Sequence, residues 1–541
     1  MKFTRRTFNK RAVQLVLAGA ITPSVFKQLQ LQAQVPENPL RRDSTVSADF
    51  LETVSNKMSK LLASITPETE LLVPTFLGND QRRFYGRGTP KGLKLLDRFN
   101  LGSGITAFRG YRTWSGAGWT GQPTLTKDRG KIYLTIGAFD HSLRKIDIET
   151  NEVVWRYKFD DILKGSATIY IDPTASEENQ IVILQGSRMG VKNSLLSPAP
   201  APSFRAISFR TGKELWKLNI RKTDSYSRDN DSSAIDLGEG VLFNAGENGI
   251  GYFINRSART AKRKEGIIQP EIISEVKLYA TADIGKHGGN LVAESSPARL
   301  GDRIFIAAGS GHIYGISIDK RKIVWDFYTG SDMDGSVAVS KDEKLFCAIE
   351  KQYIPGNGGI MKLNPSKKES ESVEWFLPTG NARLADWQGG VIGSVALNDE
   401  YRTEEIPALF ATCAIDGNLY IGSQTVVTGQ KVRGPLLNKE YDTPLIVFKK
   451  LIGGSISTPV FTDGNKLIAA TYNGVYLFNL YWEQAKRGAK NALMNYRGDF
   501  YRLRVEQVAH FQPSVSFEST PVVWDGIVRI CARDGWMYTL G

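Results

Sequence analysis

Four acidic residues recur at one place in a repeated unit of this sequence. Asp231, Glu294, Asp334 and Glu518 each open a small-polar segment, as in Glu294-Ser295-Ser296-Pro297 and Glu518-Ser519-Thr520-Pro521. Lys164 holds the equivalent position in another copy, and Thr120, Ile392 and Ile456 hold it in the rest. Carboxylates brought together this way attract a hard cation such as Ca2+, or a cationic ligand. Glu294, Glu518 and Asp334 are the expected metal ligands. The alternative is that each carboxylate accepts hydrogen bonds from exposed backbone N–H groups where a strand begins. His287, in Lys286-His287-Gly288-Gly289-Asn290, stands just ahead of Glu294 and is expected to overhang the same place.

Little else in the chain has the spacing that chemistry needs. The other histidines, His141, His312 and His510, show no metal-ligand spacing. There is no Ser-His-Asp or Cys-His set and no phosphate loop. Cys347, Cys413 and Cys531 are odd in number, far apart and set in apolar contexts, so buried thiols are expected rather than disulfides or a zinc site.

Of the net charge of +13, six units belong to residues 1–33, which contain no acid. The remaining basic residues are scattered, and the dense run from Arg259 to Lys264 is expected as a solvated loop. No nucleic-acid motif appears. Thr4-Arg5-Arg6-Thr7-Phe8-Asn9-Lys10, followed by a mildly apolar stretch from Ala12 to Phe26, matches a twin-arginine leader. Arg5 and Arg6 are its signal residues, cleavage is expected after Ala33, and the destination is the periplasm or the outside. Residues 34–92 are expected to be an extension holding one amphipathic helix, with Leu51, Val54, Met58, Leu61 and Leu62 on one face and Pro67 ending it. No apolar run reaches the length of a membrane span.

The elements that must position the acids come from the repeat. Each unit runs from the small-polar start through a strand, a Gly or Asp-Gly turn, a strand, a second tight turn and a strand, to a turn that leads to Trp. Strands of this length joined by such turns make an antiparallel meander. One meander cannot bury both faces, so copies stack around an axis. Unit starts near Trp119, Gly165, Asp231, Glu294, Asp334, Gly393, Ile456 and Glu518 predict an all-β, eight-bladed β-propeller over residues 93–541, with seven blades as the alternative. The last unit lacks its fourth strand. Leu93 to Phe99 aligns with that missing strand and is expected to close the ring.

Ile207-Ser208-Phe209-Arg210-Thr211-Gly212-Lys213-Glu214-Leu215-Trp216 resembles the tryptophan-docking repeat of PQQ-like, quinoprotein-type propellers. That group includes quinoprotein dehydrogenases and non-catalytic scaffolds. The Glu-Ser-x-Pro segments are similar to the one whose Glu contacts the quinone in the dehydrogenases, but no adjacent cysteine pair is present. Two functions follow. One is an exported, non-catalytic propeller that binds an envelope protein or a small molecule. The other is a periplasmic quinone- or metal-dependent oxidoreductase with its site at the channel mouth, for which the resemblance implies PQQ or Ca2+.

Overall fold

The computed structural model describes residues 68–541, except 108–109, 119–120 and 196. The leader with Arg5 and Arg6, the helix expected after Ser47, and Thr120 lie outside the described residues.

The described residues form eight radially repeated sheets, each with four blade strands, and three of the sheets carry a fifth strand. Blades 1 to 8 span 124–158, 168–218, 235–277, 298–328, 338–378, 396–451, 460–511 and 522–540. The middle strands are apolar on both faces because each blade is packed between two others; all five residues of Leu345–Ile349 are buried. Outer strands alternate toward solvent, as in Lys322–Tyr328. Cys347, Cys413 and Cys531 are free and buried in these strands, and burial pushes the thiols of Cys413 and Cys531 up to about 12. The eighth sheet takes its outer strand from Leu95–Asn100, which pairs antiparallel with Trp536–Leu540. The ring therefore closes as expected, with eight blades. Residues 259–264 lie in a small hairpin region inserted into blade 3.

Outer-strand tryptophans lock neighbouring blades together. The indole N–H of Trp155 donates to Phe209 O, that of Trp325 to Lys367 O, and that of Trp375 to Gln424 O. Each acceptor belongs to the next blade. Gly212 lies under the Trp155 ring with φ +69°, and a Cβ there would stand 2.8 Å from the indole, so only glycine allows the contact.

A second lock encircles the channel and explains the small-polar starts. Backbone N–H groups of Gln122, Ser233, Ser296, Ser336 and Ser394 donate at 2.8–2.9 Å to the hydroxyls of Ser166, Ser296, Ser336, Ser394 and Thr458. Each hydroxyl sits one blade further on. The residue two positions before each hydroxyl shares its strand face. Those positions are Lys164, Glu294, Asp334, Ile392 and Ile456.

The compact unit begins at Glu68, and residues 68–92, read from the sequence as the end of an extension, run inside the ring. Thr69–Val73 pairs with the inner strand of blade 1, and Gly86–Arg87 pairs with that of blade 8. Between them, Pro74 O accepts from Ile169 N, Arg82 reaches Ser233 O and Pro297 O, Gln81 O accepts from Val339 N, and Tyr85 accepts from Leu397 N. Asp463 of blade 7 accepts from Gly88 N. The segment thus bonds to all eight blades. Arg82 is fully enclosed, and burial pulls its guanidinium down to about 10. Its partners stand at or beyond the hydroxyl belt, so it lines the end of the channel away from the strand starts.

Candidate functional site

At the strand-start end, which we call the mouth, blades 3 to 5 supply two groups of three carboxylates. Asp231, Glu247 and Glu294 form one, and Asp332, Asp334 and Glu350 form the other; within each, the ligand atoms lie within 4.8 Å of one another. Asp231, Glu294 and Asp334 come from the strand starts. Glu247 and Glu350 each occupy the first position after the second strand of their blade. Asp332 lies two residues before Asp334, on the same extended face.

The first group contains a cation. The Lys164 ammonium forms an ion pair with Asp231 and lies 3.7 Å from Glu247. Glu247 also accepts from the Ser227 hydroxyl at 2.7 Å. Burial opposes charge on Lys164, but Asp231 and Glu247 outweigh it and hold the ammonium above its usual range. One lysine does not balance three buried acids. Burial pushes the Asp231 carboxyl up to about 7 and those of Glu247 and Glu294 up to about 8, against the pull of Lys164. The neighbouring Arg188 pairs at 2.6 Å with Asp229, outside the group.

In the second group, burial and then the charges of Glu350, Glu294 and Asp332 hold Asp334 far above the usual carboxylate range. Glu350 is raised by burial and by Asp332. Asp332 is pushed to about 6 by burial, offset in part by the Asn290 amide, which donates to it at 2.6 Å. Among the described residues, no lysine or arginine forms an ion pair with these three acids.

The expected set Glu294, Glu518 and Asp334 does not converge on one point. Glu294 belongs to the first group and Asp334 to the second. Glu518 lies four blades away, where it accepts from the Tyr472 hydroxyl at 2.7 Å and pairs with Arg533 at 3.1 Å. Strand starts on opposite sides of an eight-bladed ring are too far apart to share an ion, so carboxylates meet only between neighbouring blades. His287 is buried, and burial lowers its imidazole; its ring centroid lies 4.8 Å from that of Tyr353 at the rim.

The strand starts of blades 6 and 7 are apolar. Ile392 and Ile456 cluster with Ile415 against Leu384, Trp387 and Tyr472. A cleft of about 480 Å³ between 350–354 and 386–389 reaches Glu350. Tyr226, 49% exposed, is near the acids; burial and then the charges of Glu294 and Asp332 raise its hydroxyl.

No protein-family model and no curated protein matches this chain. Among solved structures it is similar to BamB from Moraxella catarrhalis, with 11% identity and a TM-score of 0.47, covering 83% of this chain and 99% of that one. It is also similar to the computationally designed Ika8 protein, with 11% identity and a TM-score of 0.42 over 79% of this chain and 99% of that one. No helix among the described residues is long and apolar enough to cross a membrane.

Proposed function

We propose that this chain is an exported, non-catalytic β-propeller that serves as a binding scaffold in the cell envelope. Its acidic mouth takes a positively charged group of a small ligand or of a protein partner. The observation behind the reading is the charge imbalance: six carboxylates in two touching groups face one lysine. Buried acids in such excess favour a ligand that brings positive charge. Tyr226, half exposed near them, offers an aromatic ring of the kind an organic cation prefers. The twin-arginine pattern around Arg5 and Arg6 supports export of the folded ring.

The oxidoreductase alternative is the weaker reading. PQQ is itself polyanionic and would meet six carboxylates among which Lys164 is the one paired cation of the described residues, so these two groups do not fit it.

Calorimetric titration with spermidine, calcium being chelated, tests the proposal. Binding should weaken at least tenfold when Glu247→Gln and Glu294→Gln are combined. PQQ should give no complex. Spermidine binding unchanged in the double variant would refute the site. A stoichiometric PQQ complex with a visible absorption band would favour the oxidoreductase.

A further inference from the structure

The two carboxylate groups differ in one respect that decides what each can hold. The Asp231 group encloses the Lys164 ammonium, which occupies the place an ion would take. The Asp332 group encloses no such cation. Around it lie oxygen atoms with no hydrogen-bond partner in the protein: Asp332 Oδ1, Glu350 Oε1 and Asn290 Oδ1. All three residues are more than nine-tenths buried. Asn290 is fixed by its own amide, which donates to the other oxygen of Asp332 and leaves its carbonyl oxygen free.

Two of the orphan oxygens, Asn290 Oδ1 and Asp332 Oδ1, also converge. A Cβ placed on Gly309 would stand 2.8 Å from Asn290 Oδ1 and 2.9 Å from Asp332 Oδ1. Glycine keeps a small space open between two acceptors that nothing in the protein satisfies. A buried acceptor without a donor costs about 1–3 kcal/mol, more if charged, so a cradle of them calls for a positive guest.

We propose that Asp332, Asp334 and Glu350, with the side-chain oxygen of Asn290, form a binding site for one divalent hard cation of the calcium type. The donors are all oxygen, three of them carboxylate, as Ca2+ prefers. Ligand oxygens on opposite sides of an ion held by bonds of about 2.4 Å lie roughly 4.8 Å apart, so the three carboxylates can reach a common ion. Mg2+ keeps most of its water and suits such an enclosed cage less well. The cleft beside Glu350 gives the ion a route in and room for a coordinated water. The ion joins blades 4 and 5, because Asn290 precedes the inner strand of one blade and the three acids belong to the other. This site deepens the reading of an acidic mouth but rests on the cation-free group alone.

The test is titration of CaCl2 into the full chain after dialysis against EDTA, followed by thermal unfolding with and without Ca2+. One equivalent per chain should bind and raise Tm by several degrees. Asp334→Asn and, separately, Glu350→Gln should each weaken Ca2+ at least tenfold and abolish the Tm rise, with the apo fold intact by circular dichroism. Gly309→Ala should weaken Ca2+ by crowding the cradle. Glu247→Gln should leave one equivalent bound. Absence of Ca2+ binding in the wild type overturns the proposal. So does loss of the ion in Glu247→Gln with retention in Asp334→Asn, which would place it on the Lys164 side. If either acid variant fails to fold, the other gives the same readout. Ca2+ binding that persists while spermidine binding fails would sink the scaffold reading and keep this one.

Discussion

The Asp231 and Asp332 groups are built from the same parts two blade-steps apart, yet they handle charge in opposite ways. In both, acids at a strand start meet a glutamate that follows a second strand. The Asp231 group was given a lysine by the preceding blade, whose strand start is Lys164. The strand start preceding the Asp332 group is Glu294, so it received another acid instead. A single repeat position therefore decides whether a pocket carries its own counter-ion or must borrow one.

The strongest way to break this comparison is to remove the internal cation. Lys164→Met leaves Asp231 and Glu247 buried without a cation and should destabilise the chain by about 3 kcal/mol at pH 8 in urea unfolding, with less loss at pH 5, where the acids can take protons instead. A loss below about 1 kcal/mol at pH 8 would mean that Lys164 does not neutralise its group.

The next largest effect is in the pH dependence of the apo chain. Asp231, Glu247 and Glu294 have folded values of about 7 to 8, well above the ordinary range near 4. The folded state then binds more protons than the unfolded one across that window. The stability they contribute is fully present below pH 4 and is lost as pH rises through 7 and 8. Urea midpoints with EDTA present should fall from pH 5.5 to pH 8.5, at a slope on the order of 1 kcal/mol per pH unit. A flat profile would show that the acids are ionised throughout.

A smaller effect, of opposite sign to the first, sharpens the contrast. Asp334→Asn removes one charge from a group that lacks a cation and should stabilise the EDTA-treated chain by about 1 kcal/mol at pH 8. Destabilisation there would mean that the hydrogen bond between Asp334 and Glu350 outweighs the crowding of the acids. The smallest effect is the reference. Arg504 and Glu483 pair at 3.2 Å on the surface, half exposed, and Glu483→Gln should change stability by less than about 0.5 kcal/mol.

The ring was legible because its signal is repeated. Eight unit starts and the closing role of Leu93 to Phe99 follow from aligning copies, and the same alignment placed Asp231, Glu294 and Asp334 together. Glu247 and Glu350 were missed because the turn after the second strand was not compared between copies; both follow the last residue of that strand. Asp229-Asn230-Asp231-Ser232-Ser233 and Asp332-Met333-Asp334-Gly335-Ser336 share an Asp-x-Asp-x-Ser pattern that would have shown Asp332. Glu518 matched Glu294 in its local sequence, but Arg533, fifteen residues later, neutralises it, and no alignment of strand starts registers that pairing. The passage of residues 68–92 through the channel left no trace, because that segment occurs once and its partners are spread over all eight blades.

That same passage governs the order of assembly. Tyr85 O receives its bond from Val523 N, and Leu95–Asn100 waits for Trp536–Leu540. During synthesis the first described residues leave the ribosome with no completed surface to settle on, and the eighth sheet cannot form until the final strand is free. Contacts of such sequence separation make folding slow. A nascent chain would spend that interval with unpaired edges and an empty axis, so losing even the last five residues would strand both termini at once.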